Sequence, residues 1–145
     1  MKLPRPALAS LLLLAISTAA PAADTRQKVE LPPMMRDHMM GNMRDHLLAV
    51  TEIQEALAAG AFERAADIAE NRLGLSSLNR HGATHMAPHM PQAMRDIGTG
   101  MHRAASRFAV AAQEAAVTGD TRRALGSLAE VSRQCVACHA AYRVH

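Results

Sequence analysis

The sequence predicts an all-α protein, and three observations support this fold class. Aromatic residues make up only 2% of the 145 residues, whereas alanine and methionine are abundant. Such a composition favours helices over sheets. Apolar residues recur at three- and four-residue steps in four segments, which is the spacing that gives a helix one apolar face. Glycines and prolines separate these segments, as expected at helix ends.

The first 22 residues have the features of a secretory signal peptide. Lys2 and Arg5 precede an apolar run from Ala7 to Ile16, and small residues follow up to Ala20-Pro21-Ala22. That triplet has the form of a signal-peptidase site, so we expect cleavage near Ala22 and a mature domain at 23–145. An uncleaved membrane anchor is the alternative, but the apolar run is short for a bilayer span.

The charge of the mature chain argues against one class of partner. The full chain carries 16 basic and 13 acidic residues, a net charge of +3. The predicted signal peptide contains two of the basic and none of the acidic residues, which leaves 14 against 13, or +1. This balance gives no indication of nucleic-acid binding, and we expect no membrane span in the mature form.

The first two helices are predicted over 34–59 and 62–73, after a loose polar lead-in at 24–31. Pro32-Pro33 marks the start of the first helix, since proline is tolerated in the first turn. Gly60 separates the two helices, and Gly74 closes the second. The expected inner face of the first helix is rich in methionine and consists of Met35, Met39, Met43, Leu47, Val50, Ile53 and Leu57.

The third helix is predicted over 91–117 and the fourth over 122–143. A long connection at 75–91 with glycine, prolines and serines precedes the third helix, whose inner stripe is Met94, Ile97, Met101, Ala105, Phe108, Ala112 and Ala115. Gly119 and Asp120 form a helix stop followed by an N-cap signal. The fourth helix has on its expected inner side Leu125, Leu128, Val131, Cys135, His139 and Tyr142. Four helices with short, long and short connections predict an antiparallel four-helix bundle.

The segment Cys135-Val136-Ala137-Cys138-His139 has the Cys-x-x-Cys-His form of a c-type haem attachment motif. In that motif two thiols form thioethers with the haem vinyl groups, and the adjacent imidazole ligates the iron. These are the only two cysteines of the chain, and the spacing puts all three side chains on one face of a helix. We therefore predict one covalent haem c, attached through Cys135 and Cys138, with His139 as an axial iron ligand.

The segment Cys135-x-Ala137-Cys138-His139-x-Ala141-Tyr142-Arg143, at the end of a helix-rich chain, resembles the class II c-type cytochromes. That family comprises cytochrome c prime and its six-coordinate, low-spin relatives, and the bundle pattern extends a weaker resemblance over 23–145. The resemblance implies a periplasmic protein that is matured by the cytochrome c maturation machinery and exchanges electrons with redox partner proteins. It also implies that Arg143 lies beside the haem, where it is a candidate for pairing with a propionate. A homodimer through the first two helices is compatible with it.

The resemblance implies that the residue over the other face of the iron comes from the first helix. Met43 is our first candidate for this second axial ligand, Met39 is the runner-up and His46 is third. A thioether is a common axial ligand that raises the reduction potential, although a methionine stripe is also a frequent form of core packing. With such a ligand the iron suits electron transfer, and without one it can bind NO or CO.

Other features leave alternatives open. The long connection contains three histidines at four-residue spacing, His81, His85 and His89, for which a polar loop, a contact with the haem edge and metal binding are the three interpretations. The histidine and methionine content makes exported copper handling an alternative function, but that function leaves the haem motif unexplained. A thiol oxidoreductase would need a βαβ pattern. No combination of acid, base and nucleophile indicates a substrate pocket, so we expect an electron carrier rather than an enzyme.

Overall fold

The computed structural model describes residues 23–145, and the expected signal peptide at 1–22 lies outside the described residues. The prediction of an all-α protein is confirmed. Within 23–145 no helix is long and apolar enough to cross a membrane. The elements in chain order are β1 (Gln27–Lys28), α1 (Pro33–Ala58), α2 (Phe62–Arg72), α3 (Ala83–Met86), α4 (Gln92–Thr118), α5 (Thr121–Ala141) and β2 (Tyr142–Arg143), with single 3-10 turns at Leu75–Ser77 and Ala87–His89.

The predicted signals at the helix ends are present. Gly60 and Gly119 follow α1 and α4 with φ angles of 71° and 73°, a left-handed conformation that favours glycine. Asp120 caps α5, because its carboxylate accepts a hydrogen bond from the backbone N–H of Arg123 at 3.2 Å. Each of the four long predicted helices is therefore found within two residues of its expected ends.

The lead-in before α1 and the end of the chain differ from the prediction. Tyr142 and Arg143 do not continue α5 but pair in parallel with Gln27 and Lys28 as a two-stranded ladder. The N–H of Val29 donates to the carbonyl of Arg143 at 2.8 Å, and the Val29 side chain is buried. The ladder satisfies backbone groups that a frayed helix end would leave open. Pairing between segments so distant in sequence leaves no periodic signal in either one.

Close packing of small side chains joins α1 to α2, α2 to α4, and α4 to α5. Of the 18 buried residues in this main core, 11 are alanine. Alanine allows helix axes to approach toward the lower end of the usual 8–10 Å range, which compensates for the scarcity of aromatic side chains. The other buried members of the main core are Ile53, Leu57, Leu73, Met101, Phe108, Leu128 and Val131.

The contacts of α1 with α5 indicate opposite directions for the two helices, but their backbones do not pack as closely as those of the other neighbours. The start of α1 contributes to the same apolar cluster as the end of α5, whereas Gln54 of α1 shares a groove with the middle of α5. We call the apolar cluster at the start of α1 and the end of α5 the methionine cluster. Its members are Val29, Met39, Met86 and Met94, with Leu31, Met35, Met43, Met90, Cys138, Tyr142 and Val144 packed against them.

Truncation of the one fully buried aromatic residue of the main core should have a large effect on the free energy of unfolding. Phe108 is 0% exposed, so Phe108→Ala should lower the free energy of unfolding by about 3–5 kcal/mol, as measured by urea denaturation. Val117 on the same helix is 88% exposed, and Val117→Ala should change this free energy by less than about 0.5 kcal/mol. Equal effects of the two substitutions would contradict the packing described here.

Candidate functional site

The two cysteines lie on α5 at the junction between the two apolar clusters. Both thiols are free and half-buried. Cys135 packs against the main core, and Cys138 packs against the methionine cluster. Burial raises the pKa of both thiols, so they are neutral at pH 7. The position of Cys138 links the motif directly to the methionines of α1.

His139 also lies on α5 but is exposed, although its place on the predicted inner side suggested burial. It stands about two helical turns after Ser132 on the same line of α5, and Ser132 lines the groove beside α1. The backbone carbonyl of His139 accepts a hydrogen bond from Nη1 of Arg26 at 3.4 Å. The segment before α1 thus contacts the motif, while the imidazole itself is exposed.

The groove between α1 and α5 has a volume of about 450 Å³. Leu47, Leu125 and Val136 are 71%, 50% and 68% exposed. The expectation that Leu47 and Leu125 face a packed interior is therefore wrong. Leu125 lines the groove, where α1 and α5 approach each other less closely than the other neighbouring helices. The groove is lined by Gln54, Leu125, Leu128, Ala129, Ser132, Arg133 and Val136.

The candidate ligands on α1 divide between two surroundings. Met39 is buried and Met43 is half-buried, and both belong to the methionine cluster with Cys138. His46 instead contacts His81 and His102. The structure thus brings the two methionines, but not His46, into the apolar cluster that contains Cys138.

Arg143 lies at the end of the chain beside the motif. Its Nε atom is 3.5 Å from a carboxylate oxygen of Asp24, and its Nη1 donates to the carbonyl of His145 at 2.7 Å. The Nε atom is buried and makes no hydrogen bond within the described residues. A buried guanidinium donor without a hydrogen bond fits an additional anionic partner such as a carboxylate.

Three histidines from different elements form a cluster that sequence reasoning missed. His46 of α1, His81 of the long connection and His102 of α4 have ring centroids 4.6, 5.4 and 6.1 Å apart. The four-residue spacing had grouped His81 with His85 and His89, but those two are exposed and lie outside the cluster. The sequence contains a partial signal, since His102 follows Met101 on the buried side of α4.

Polar contacts hold two of these rings in defined orientations. Nδ1 of His102 donates to the carbonyl of Leu73 at 2.7 Å, and Nδ1 of His81 lies 3.3 Å from the hydroxyl of Ser77. Burial lowers the pKa of His46 and of His81 to about 4, and it also lowers the pKa of His102. All three imidazoles are therefore neutral at pH 7.

Comparison with known proteins adds no further assignment. No family model, curated protein or solved structure matches this chain.

The lowered histidine pKa values predict that the protein loses stability in mild acid. Between about pH 4 and 6.5 the unfolded chain binds protons that folded His46 and His81 do not. The free energy of unfolding should therefore fall as the pH falls through this range, by up to about 1.4 kcal/mol per pH unit for each histidine.

Urea unfolding in EDTA between pH 7.5 and 4.5 measures this dependence. The variant His81→Gln should have a shallower dependence on pH, and the control His85→Gln should match the wild type because His85 is exposed. Identical pH dependence in all three proteins would contradict the assignment.

Proposed function

We propose that this chain is an exported c-type cytochrome that carries single electrons, with one haem c attached to an antiparallel four-helix bundle of α1, α2, α4 and α5. The observation that carries the proposal is the arrangement of the motif on α5. Two free thiols lie at the junction of the apolar clusters, the adjacent imidazole is exposed, and Val136 between the two cysteines lines an apolar groove. Haem attachment requires this donor set.

The surroundings of the motif support a large apolar group in this place. The groove volume of about 450 Å³ lies within the range of sites for small molecules and cofactors. Two large aliphatic side chains of its lining, Leu125 and Val136, are exposed, and exposed apolar patches commonly mark binding sites. In the proposed complex Cys135 and Cys138 hold the haem covalently, His139 ligates its iron, and Arg143 pairs with a propionate.

The register of the two antiparallel helices favours Met43 as the second iron ligand. Met43 lies about three turns before Gln54 on nearly the same line of α1, and His139 lies about two turns after Ser132 on α5. Because the helices run antiparallel, both displacements lead to the same end of the groove that Gln54 and Ser132 line. Met39 is one turn further and about 60° away from the line of Gln54. His46 is engaged with His81 and His102.

The proposed chemistry is electron transfer rather than catalysis on a substrate. The haem supplies the Fe(III)/Fe(II) couple, and the protein sets its potential through ligand identity, burial and nearby charge. A methionine ligand raises that potential. We expect redox partner proteins to bind near His139, where the motif is exposed. Five-coordinate binding of NO or CO and exported copper handling are the alternative functions that the following experiments separate from electron transfer.

The first expected result is a covalently attached haem in the exported protein. After acid–acetone extraction the haem absorbance should remain with the polypeptide, because thioethers survive this treatment. The Cys135→Ala/Cys138→Ala variant, which removes both thioether sites, should lose the absorbance. Extractable or absent haem in the wild type would exclude the proposed function and leave copper handling as the main alternative.

The second expected result concerns the coordination of the iron. The reduced wild type should have sharp α and β bands, and Met43→Ala should produce a broad high-spin spectrum that responds to CO. Met34 lies on the same helix but is 85% exposed, so Met34→Ala should leave the spectrum unchanged. A high-spin wild type would favour gas binding, and loss of the bands only in Met39→Ala would move the ligand to Met39.

A further inference from the structure

The histidine cluster of His46, His81 and His102 is not used by the proposed cytochrome function. These side chains come from α1, the long connection and α4, and they form no part of the groove or the motif. His81 and His102 are only 7% and 8% exposed. Buried imidazole nitrogens usually make hydrogen bonds. The hydrogen-bond partners of these nitrogens therefore indicate which of them are free to bind another group.

Hydrogen bonding determines which ring nitrogen carries the proton in two of the histidines. A carbonyl oxygen only accepts, so Nδ1 of His102 must carry a proton to donate to Leu73 at 2.7 Å. The hydroxyl of Ser77 donates to the carbonyl of Gly74 at 2.7 Å, so it can only accept from Nδ1 of His81. In the neutral rings, Nε2 of both histidines is therefore an unprotonated lone pair.

The unprotonated nitrogen of His81 lies next to a ring nitrogen of His46. The two Nε2 atoms are 3.4 Å apart, which is long for a hydrogen bond. Two imidazole nitrogens bound to one tetrahedral ion at 2.0–2.1 Å are separated by roughly 3.3 Å. Three imidazoles on one such ion have ring centroids about 5 Å apart, and the observed separations of 4.6, 5.4 and 6.1 Å bracket that value.

We propose that His46, His81 and His102 form a binding site for a divalent transition-metal ion of the kind that imidazole ligates, such as Zn²⁺. The hydrogen bonds from Nδ1 of His81 and His102 are those that orient metal-ligating histidines in proteins. Within residues 23–145 no group of three His, Cys, Asp or Glu side chains already has the arrangement that holds a metal ion. Binding therefore requires a small shift that draws the ring of His102 toward the other two.

The backbone around the site is already held in place. The carbonyl of His81 accepts from Nδ2 of Asn42 at 3.2 Å and lies 3.1 Å from Nε2 of His38, both on α1. The side chain of His46 is only half-buried, which provides access from solvent. A bound ion would connect α1, the long connection and α4, so it should also raise the melting temperature.

Calorimetric titration of the haem-containing, EDTA-treated protein with Zn²⁺ tests the proposal. We expect one ion per chain. Ser77→Ala leaves all three imidazoles in place but removes the hydroxyl that contacts Nδ1 of His81, together with its hydrogen bond to the carbonyl of Gly74. It should weaken binding by roughly 10–100-fold, and His81→Gln and His46→Gln should weaken it further. The control His85→Gln/His89→Gln changes two exposed histidines of the same connection and should bind as the wild type does.

Two further measurements do not depend on how the variants fold. Zinc-edge X-ray absorption of the wild type should show three imidazole ligands, and Zn²⁺ should raise the melting temperature. The haem spectrum should stay unchanged, so failure of this site and failure of haem attachment are distinguishable. A zinc shell of mainly oxygen ligands, or equal weakening in the His85/His89 control, would overturn the proposal. A shell with fewer than three imidazoles would also overturn it.

Discussion

The antiparallel placement of α1 beside α5 determines which side chains can share a site with the Cys-x-x-Cys-His motif. The start of α1 meets the end of α5, so the methionines of α1 and Cys138 belong to one apolar cluster. A parallel arrangement would instead bring Ile53 and Leu57 to that end. The α1–α2 and α4–α5 turns, with glycines in the left-handed conformation, reverse the chain within each helix pair and so support this arrangement.

The main core and the groove differ because the helix contacts differ in side-chain size. Alanine faces allow α2, α4 and α5 to pack closely, and this packing provides a rigid support for α5. On the side of α5 toward α1, larger aliphatic side chains stay exposed. A protein with so few aromatic residues has a thin core, and a covalently bound apolar cofactor would add substantially to the buried apolar surface. Stability and haem binding are therefore expected to be coupled.

Contacts between distant segments hold the functional elements together. The β1–β2 ladder joins the segment before α1 to the residues directly after the motif, and Arg26 reaches the backbone of His139. The histidine cluster joins α1, the long connection and α4 on another part of the molecule. Both features connect α1 to the rest of the chain, and α1 carries the candidate second ligand. The ladder and the histidine cluster therefore both help to hold α1, and with it Met43, in position.

The helices, their ends and the Cys-x-x-Cys-His motif could be predicted from the sequence, because periodicity, glycine stops and a five-residue motif are local signals. The sequence also indicated the methionine-rich face of α1. Only the tertiary structure showed that Leu47 and Leu125 are exposed, since burial depends on how closely neighbouring helices approach each other. Likewise, His81 joins His46 and His102 rather than its sequence neighbours, and the N–H of Val29 donates to the carbonyl of Arg143. These contacts link residues far apart in the chain, and such pairings have no periodic trace in the sequence.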